Sequence, residues 1–280
     1  MIAQSTRLRR LGAAVTLTLM AATQAGADNM RDIATGILTQ GIAGGDIAYL
    51  EAHVAEDYIQ HNPQVPDGKA GLIGFVQSLA ALEGGAEISP VRVLRDGDLV
   101  AVHSEARFGS DHFVVFDLFR FEDGMAVEHW DTVQPRPEST VSGRTMTDGP
   151  TEVTDLDQTE ANRQLVMAFY QDVLIEGQIE RAAEFLGPYY HQHNPQIADG
   201  VEGFTAFFTY LQDNGIPFSL TMTHRSIAEG NFVLLHSEGQ IGGAPHAFFD
   251  LFRVEDSRIV EHWDVVQPIP AEMAHDNGMF

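Results

Sequence analysis

The chain has no cysteine, which excludes disulfides, thiolate metal sites and cysteine nucleophiles together. Basic residues are scarce: 16 lysines and arginines stand against 40 aspartates and glutamates, a formal net charge of −24. A nucleic-acid partner needs a basic footprint to neutralise phosphates, and an anionic membrane surface attracts basic segments, so neither is expected as a partner. Lysine occurs once, at Lys69. There is no Gly-x-Ser-x-Gly elbow, and no glycine-rich phosphate loop precedes a helical pattern. What remains is globular in character, with 44% hydrophobic and 20% charged residues. A length of 280 residues leaves room for one large domain or two ordinary ones.

Residues 1–27 read as a targeting segment. Arg7, Arg9 and Arg10 precede an apolar run from Leu11 to Ala22, and Ala25-Gly26-Ala27 supplies a small-x-small cleavage site. The run is too short to span a bilayer of about 30 Å at about 1.5 Å per residue. The expectation is a secretory signal peptide and a secreted, periplasmic protein that has no membrane contact after cleavage.

The remainder says the same thing twice. Tyr58 to Gly68 reads YIQHNPQVPDG and Tyr190 to Gly200 reads YHQHNPQIADG, an offset of 132. Four further blocks recur at an offset of 133. His103-Ser104-Glu105 matches His236-Ser237-Glu238, and Phe116-Asp117-Leu118-Phe119-Arg120 matches Phe249-Asp250-Leu251-Phe252-Arg253. Val127-Glu128-His129-Trp130-Asp131 matches Val260-Glu261-His262-Trp263-Asp264, and Val133-Gln134-Pro135 matches Val266-Gln267-Pro268. The same order with one single-residue indel means a duplicated domain. The division is 28–137 and 159–271, with 138–158, rich in Pro, Ser, Thr, Gly and Asp, as a linker.

Each copy has one layout. Helical patterns cover 30–43 and 46–56, then 159–175 and 178–187, and a third helix follows the His-Asn-Pro loop at 69–83 and 201–213. Strands follow at Leu99–Glu105, Phe113–Phe121 and Met125–Val133, and at Phe232–Glu238 and Ala247–Val254 in the second copy. The Phe113–Phe121 stretch is nearly continuously apolar, so both of its faces should be buried. Helices first and an antiparallel meander after them predict an α+β domain.

A helical first half, a His-Asn-Pro loop running into Asp-Gly, and a last strand of the form Val-Glu-His-Trp-Asp resemble the SnoaL-like polyketide cyclases of the nuclear-transport-factor-2-like superfamily. The resemblance covers both halves. It implies two tandem cone-shaped domains, each with helices packed on a curved antiparallel sheet. It also implies sheet-to-sheet pairing, which here would make an intramolecular pseudo-dimer. The superfamily holds cyclases, isomerases, dehydratases, hydrolases and non-catalytic binders, so fold does not name function.

The repeat sorts the twelve histidines. His61, His103 and His129 have counterparts His193, His236 and His262; the other six do not. Strand alternation places Asp117 with Val115, Phe119 and Phe121, and Asp250 likewise, a carboxylate among apolar side chains that is costly unless paired or functional. His129, Asp131 and Val133 share one face of the last strand, while Glu128, Trp130 and Thr132 share the other. The candidate catalytic set is therefore His61, His103, Asp117, His129 and Asp131, with His193, His236, Asp250, His262 and Asp264. His103 is expected beside Asp117 in the cone, and His61 at its mouth. Asn62, Asn194, Trp130 and Trp263 are candidates for ligand contact, and the tryptophans also for packing between the halves.

Schiff-base chemistry would need Lys69, whose counterpart is Val201, so an amine is not part of the repeated design. Three paired histidines and an aspartate per half would suffice for zinc, yet no His-x-His or His-Glu-x-x-His spacing concentrates them, and no metal or other cofactor is expected. The expectation is cofactor-free general acid–base chemistry on a small carbonyl-containing or polyketide-like molecule, with a small-ligand-binding protein or a metal-dependent enzyme as the alternatives.

Overall fold

A computed structural model of the chain describes residues 29–280, so the signal segment expected at 1–27 lies outside the described residues. In the first half, helix α1 (residues 29–43) winds its second part, Ile37–Ala43, as a π-helix. Then come α2 (Ile47–His53), β1 (Val54–Gln60), α3 (Gly68–Leu79), β2 (Ala86–Asp96), β3 (Leu99–Phe108), β4 (Asp111–Glu122) and β5 (Met125–Pro135). The second half repeats this. Helix α4 (Thr159–Phe169) runs on into a π-helical stretch, Tyr170–Ile175, and α5 (Ala182–Phe185) is followed by β6 (Leu186–Gln192) and α6 (Gly200–Asp213). Strands β7 (Phe218–Glu229), β8 (Phe232–Ile241), β9 (Ala244–Glu255) and β10 (Arg258–Pro268) complete it.

Each half forms a five-stranded sheet, in the orders β1-β5-β4-β3-β2 and β6-β10-β9-β8-β7. The sheets are mixed rather than wholly antiparallel. β1 runs parallel to β5 and β6 parallel to β10, because a helix and three strands, not a turn, connect each pair. Residues 54–56, expected at the end of the second helix, already belong to β1, where β-branched Val54 pairs with Ala126. The edge strands β2 and β7 were not legible in the sequence, since their half-exposed residues carry little apolar pattern.

The register fixes which side chains share a face. In β4, Phe119 and Phe121 join α1, α2 and α3 in a core on the helix-bearing face, with Ile37, Leu50, Leu72, Val100 and Val102. Val114, Phe116 and Leu118 of the same strand point the other way. There they meet Leu234, Phe249, Leu251, Trp263 and Val265 in a core shared by both halves. The sheets therefore pack face to face, and the halves form an intramolecular pair. Phe116 and Phe249 stack across the junction with centroids 5.9 Å apart.

Residues 138–155, most of the segment 138–158 expected as a linker, contain no helix or strand but are not loose. Met146 is fully buried in the shared core. Arg92 donates to the carbonyls of Thr147, Asp148 and Pro150 at 3.0, 2.6 and 2.9 Å, and Trp263 Nε1 donates to the Asp148 carbonyl at 2.9 Å. The segment straps the junction. Residues 269–280 do the same from the other side. Val141 and Ala274 donate their N–H groups to the carbonyls of Pro195 and Pro63, and the carbonyls of Thr145 and Gly278 meet His193 and His61. This third duplicated element shares too few identical residues to be seen as a repeat in the sequence.

Candidate functional site

The site begins at the end of β1, where Gln60 turns its side chain back over the loop. Its Oε1 accepts from the backbone N–H groups of His61 and Asn62 at 3.0 and 2.8 Å. Backbone N–H can only donate, so this atom is the amide oxygen. The Asn-Pro turn that follows is closed by Asn62, whose Oδ1 accepts from Gln64 N–H at 2.8 Å. The loop ends at Asp67, which accepts from Gln60 N–H at 2.9 Å, and at Gly68, whose φ of +77° a side chain would oppose. The repeated Tyr-x-Gln-His-Asn-Pro-Gln block is thus a self-bonded loop that presents two amides, Gln60 and Asn62, to the last strand.

His129 on β5 takes the first of them. Its Nδ1 lies 2.9 Å from Gln60 Oε1, an acceptor only, so Nδ1 carries a hydrogen. The other ring nitrogen, Nε2, faces Asp117 Oδ1 at 3.1 Å. One proton must lie between them, held either as imidazolium–carboxylate or as imidazole–carboxylic acid. Asp131, paired with Asp117 in the ladder, accepts from Asn62 Nδ2 at 2.7 Å through Oδ2. Its Oδ1 is buried without a partner among the described residues. Burial pushes the Asp131 carboxyl up to about 6; the Asp117 charge acts in the same direction and His129 opposes it.

The second half repeats the arrangement. His262 Nδ1 meets Gln192 Oε1 at 2.8 Å, and its Nε2 meets Asp250 Oδ1 at 3.0 Å. Asn194 Nδ2 donates to Asp264 Oδ2 at 2.6 Å, and Asp264 is also pushed up to about 6 by burial. One difference separates the halves. Tyr170, at the start of the π-helical stretch, donates its hydroxyl to Asp250 Oδ2 at 2.7 Å. The equivalent residue in the first half is Leu38, which lines the cavity instead. Asp250 is thus anchored through both oxygens and Asp117 through one.

Each cluster forms the polar floor of a cavity between the sheet and α3 or α6. The first cavity, about 440 Å³, has apolar walls that include Tyr58, Leu72, Phe75, Phe113 and Val115. The second, about 350 Å³, is walled by residues that include Phe169, Tyr190, Phe204, Phe208 and Phe248. Volumes of this size suit one small organic ligand. The donor atoms of Asp117, His129 and Asp131, like those of Asp250, His262 and Asp264, lie within 4.8 Å of one another. These are the described residues that could hold a divalent cation, although the shared proton already satisfies the His–Asp contact.

Four of the expected residues in each half therefore come together: Asp117, His129, Asp131 and Asn62, and Asp250, His262, Asp264 and Asn194. The others do not. His103 is not beside Asp117, because the β3–β4 register sets Val102 opposite Asp117 and His103 opposite Phe116, on the junction face. There it stacks on Phe116 at 4.1 Å and meets Arg92; His236 stacks on Phe249 at 4.2 Å. Burial, aided by the neighbouring arginines, holds both imidazoles well below the usual histidine range. His61 and His193 are not at a cone mouth either. They stack on Trp130 and Trp263 at 5.0 and 4.7 Å and bond Glu128 and Glu261 at 2.9 and 3.0 Å, again at the junction. Burial lowers His61 although Glu128 and the Gly278 carbonyl both favour its proton. Trp130 and Trp263 lie under Arg225 and Arg92, at 3.8 and 4.2 Å, and line neither cavity. They are packing residues of the junction.

Sequence reasoning missed Gln60 and Gln192, which set the histidine tautomer, and Tyr58 and Tyr190 beside them. All four lie inside the repeated block, so the repeat itself was the available signal. Tyr170 carried no such mark.

Comparison with known proteins agrees with this architecture. The sequence profile of the SnoaL-like domain matches residues 37–129 and 166–262, more than half of the chain. The chain belongs to the SnoaL-like family. No curated protein matches it. Among solved structures, wild-type IdmH of Streptomyces antibioticus, provisionally assigned as a polyketide cyclase, is 21% identical over 38% of this chain and 91% of its own, with a TM-score of 0.33. A protein of Bacillus cereus with the same provisional assignment is 19% identical over 38% of this chain and 74% of its own, with a TM-score of 0.35. A provisionally assigned ketosteroid isomerase of Kribbella flavida is 21% identical over 45% of this chain and 92% of its own, with a TM-score of 0.35.

Proposed function

We propose that this SnoaL-like chain is a secreted, periplasmic enzyme that uses cofactor-free general acid–base chemistry, of cyclase, isomerase or lyase type, on a small apolar carbonyl compound. The observation that carries this reading is the contact of His129 Nε2 with Asp117 Oδ1, and of His262 Nε2 with Asp250 Oδ1, at the floor of an apolar cavity. Gln60 and Gln192 fix the ring so that the movable proton sits on the carboxylate side. A carboxylate in such a site can remove a proton from carbon next to a carbonyl, and the adjacent imidazole can return one. Positioned groups of this kind contribute on the order of 10²–10⁴-fold each. The partly protonated Asp131 and Asp264 supply a second acid, each with one buried oxygen that has no hydrogen-bond partner among the described residues. Tyr170 occupies the second oxygen of Asp250, whereas that oxygen of Asp117 has no side-chain donor among the described residues, so the first cavity is the more reactive.

Deuterium exchange tests this directly. With 2-acetylnaphthalene in D₂O, the full chain should accelerate loss of the methyl proton signal, and the Asp117→Asn, Asp250→Asn double variant should not. Equal exchange by the folded double variant would remove both aspartates from the chemistry. Tight binding of the ketone without exchange in the wild type would make the protein a ligand carrier instead.

A further inference from the structure

Each cavity is lined by one residue that its own half does not supply. Gln267, from β10, lines the first cavity, and Gln134, from β5, lines the second. The two are equivalent members of the repeated Val-Gln-Pro block. Gln267 Oε1 accepts from Val133 N–H at 2.7 Å, and Gln134 Oε1 accepts from Val266 N–H at 2.8 Å. As with Gln60, a backbone N–H partner settles which amide atom is oxygen. The opposite atom of each, Nε2, is then a nitrogen with two hydrogens, and it has no protein acceptor among the described residues.

The position of this free donor follows from the strand. Val133 lies two residues beyond Asp131 on the cavity face of β5, about 7 Å along the strand. The side chain bonded at Val133 is therefore within one small molecule's length of the Asp131 and Asp117 carboxyls. A contact of about 3 Å at each end leaves space between them for a carbon–carbonyl unit. One end of that unit offers a proton to a carboxylate, and the other offers an oxygen to the amide.

We propose that Gln267 and Gln134 are positioning residues that act across the junction, each donating an amide N–H to an acceptor oxygen of the ligand in the other half's cavity. The ligand class this selects is a ketone, ester or similar carbonyl compound, not a hydrocarbon. The inference rests on the reading of the cavities as sites for small apolar carbonyl compounds. It also gives the pairing of halves a functional reason: a single domain would have the aspartates and histidine but lack the donor.

The test uses the full-length chain and a matched pair of probes, 2-acetylnaphthalene and 2-ethylnaphthalene, which differ in the oxygen. Affinities are measured by equilibrium dialysis for the wild type, for a Gln134→Leu, Gln267→Leu double variant and for a Gln134→Glu, Gln267→Glu double variant. The glutamates keep an oxygen for the Val133 and Val266 N–H groups, so that the junction stays bonded, but replace the donor by an acceptor. The wild type should prefer the ketone by about 3- to 10-fold, the value of one net hydrogen bond. Both variants should lose that preference, bringing the two affinities to within about 2-fold of each other. A ketone preference that survives in the folded glutamate variant would overturn the donor role while leaving the cavity reading intact. Failure of the wild type to bind either probe would overturn the cavity reading, and this inference with it.

Discussion

Replacing Asp131 by asparagine should stabilise the protein at neutral pH. Asp131 is 6% exposed, and burial raises its carboxyl from 3.8 to about 6. Because the folded value lies above the unfolded one, the folded chain holds an extra proton between about pH 4 and 6. Stability therefore falls as pH rises through that window, and the penalty is fully present above it. A rise of this size corresponds to about 3 kcal/mol, taken as a ceiling. Asparagine carries no charge at any pH, and its Oδ1 can still accept from Asn62 Nδ2. For a chain of this length about 3 kcal/mol is at most about 10 °C in Tm. Thermal denaturation followed by circular dichroism from pH 4 to 8 should show Asp131→Asn several degrees above wild type at pH 7.5, converging with it near pH 4. A variant that is less stable at pH 7.5, or that keeps its full advantage at pH 4, would refute the assignment of a buried, charge-penalised carboxylate. The same variant should exchange the ketone's protons more slowly, since the site's second acid is gone.

Asp117→Asn should leave the protein folded, because the new amide can donate to His129 Nε2, and should abolish proton exchange in the first cavity. Asp250→Asn should have the smaller effect on total exchange, and NMR integration of the two single variants compares them. At the junction, Trp263→Phe should cost about 1 kcal/mol more than Trp130→Phe in urea denaturation. Trp263 Nε1 donates to the Asp148 carbonyl, whereas Trp130 Nε1 is buried without a partner among the described residues. The mature chain, purified without a histidine tag or added metal, should carry fewer than about 0.2 equivalents of transition metal by elemental analysis, since a shared proton already bridges each His–Asp pair. Near-stoichiometric metal that survives dialysis would instead assign the Asp–His–Asp clusters to a cation.

Duplication, domain class and the two-sided burial of β4 and β9 were all legible in the sequence. Repeated blocks need no structure to be seen, and strand alternation is a local property of the backbone with a period of two. Alternation also grouped His129 with Asp131 and separated both from Trp130. What it left open was which face of each strand looks into a cavity, because that depends on pairing with a neighbour. His103 shows the consequence. Its own strand was read correctly, but the β3–β4 register places Val102 opposite Asp117 and turns His103 to the junction. His61 was placed at the mouth of the cone for a related reason: a loop residue has no period to read, and its direction is set by the Gln60 side chain and the 269–280 strap. The parallel edge strands, the straps and the donors Gln134 and Gln267 all depend on contacts between residues far apart in the chain. Local composition fixed the kinds of element and the inventory of side chains. Only the closing of two sheets against each other decided which of those side chains meet, because register and packing are settled by partners that a strand's own sequence does not contain.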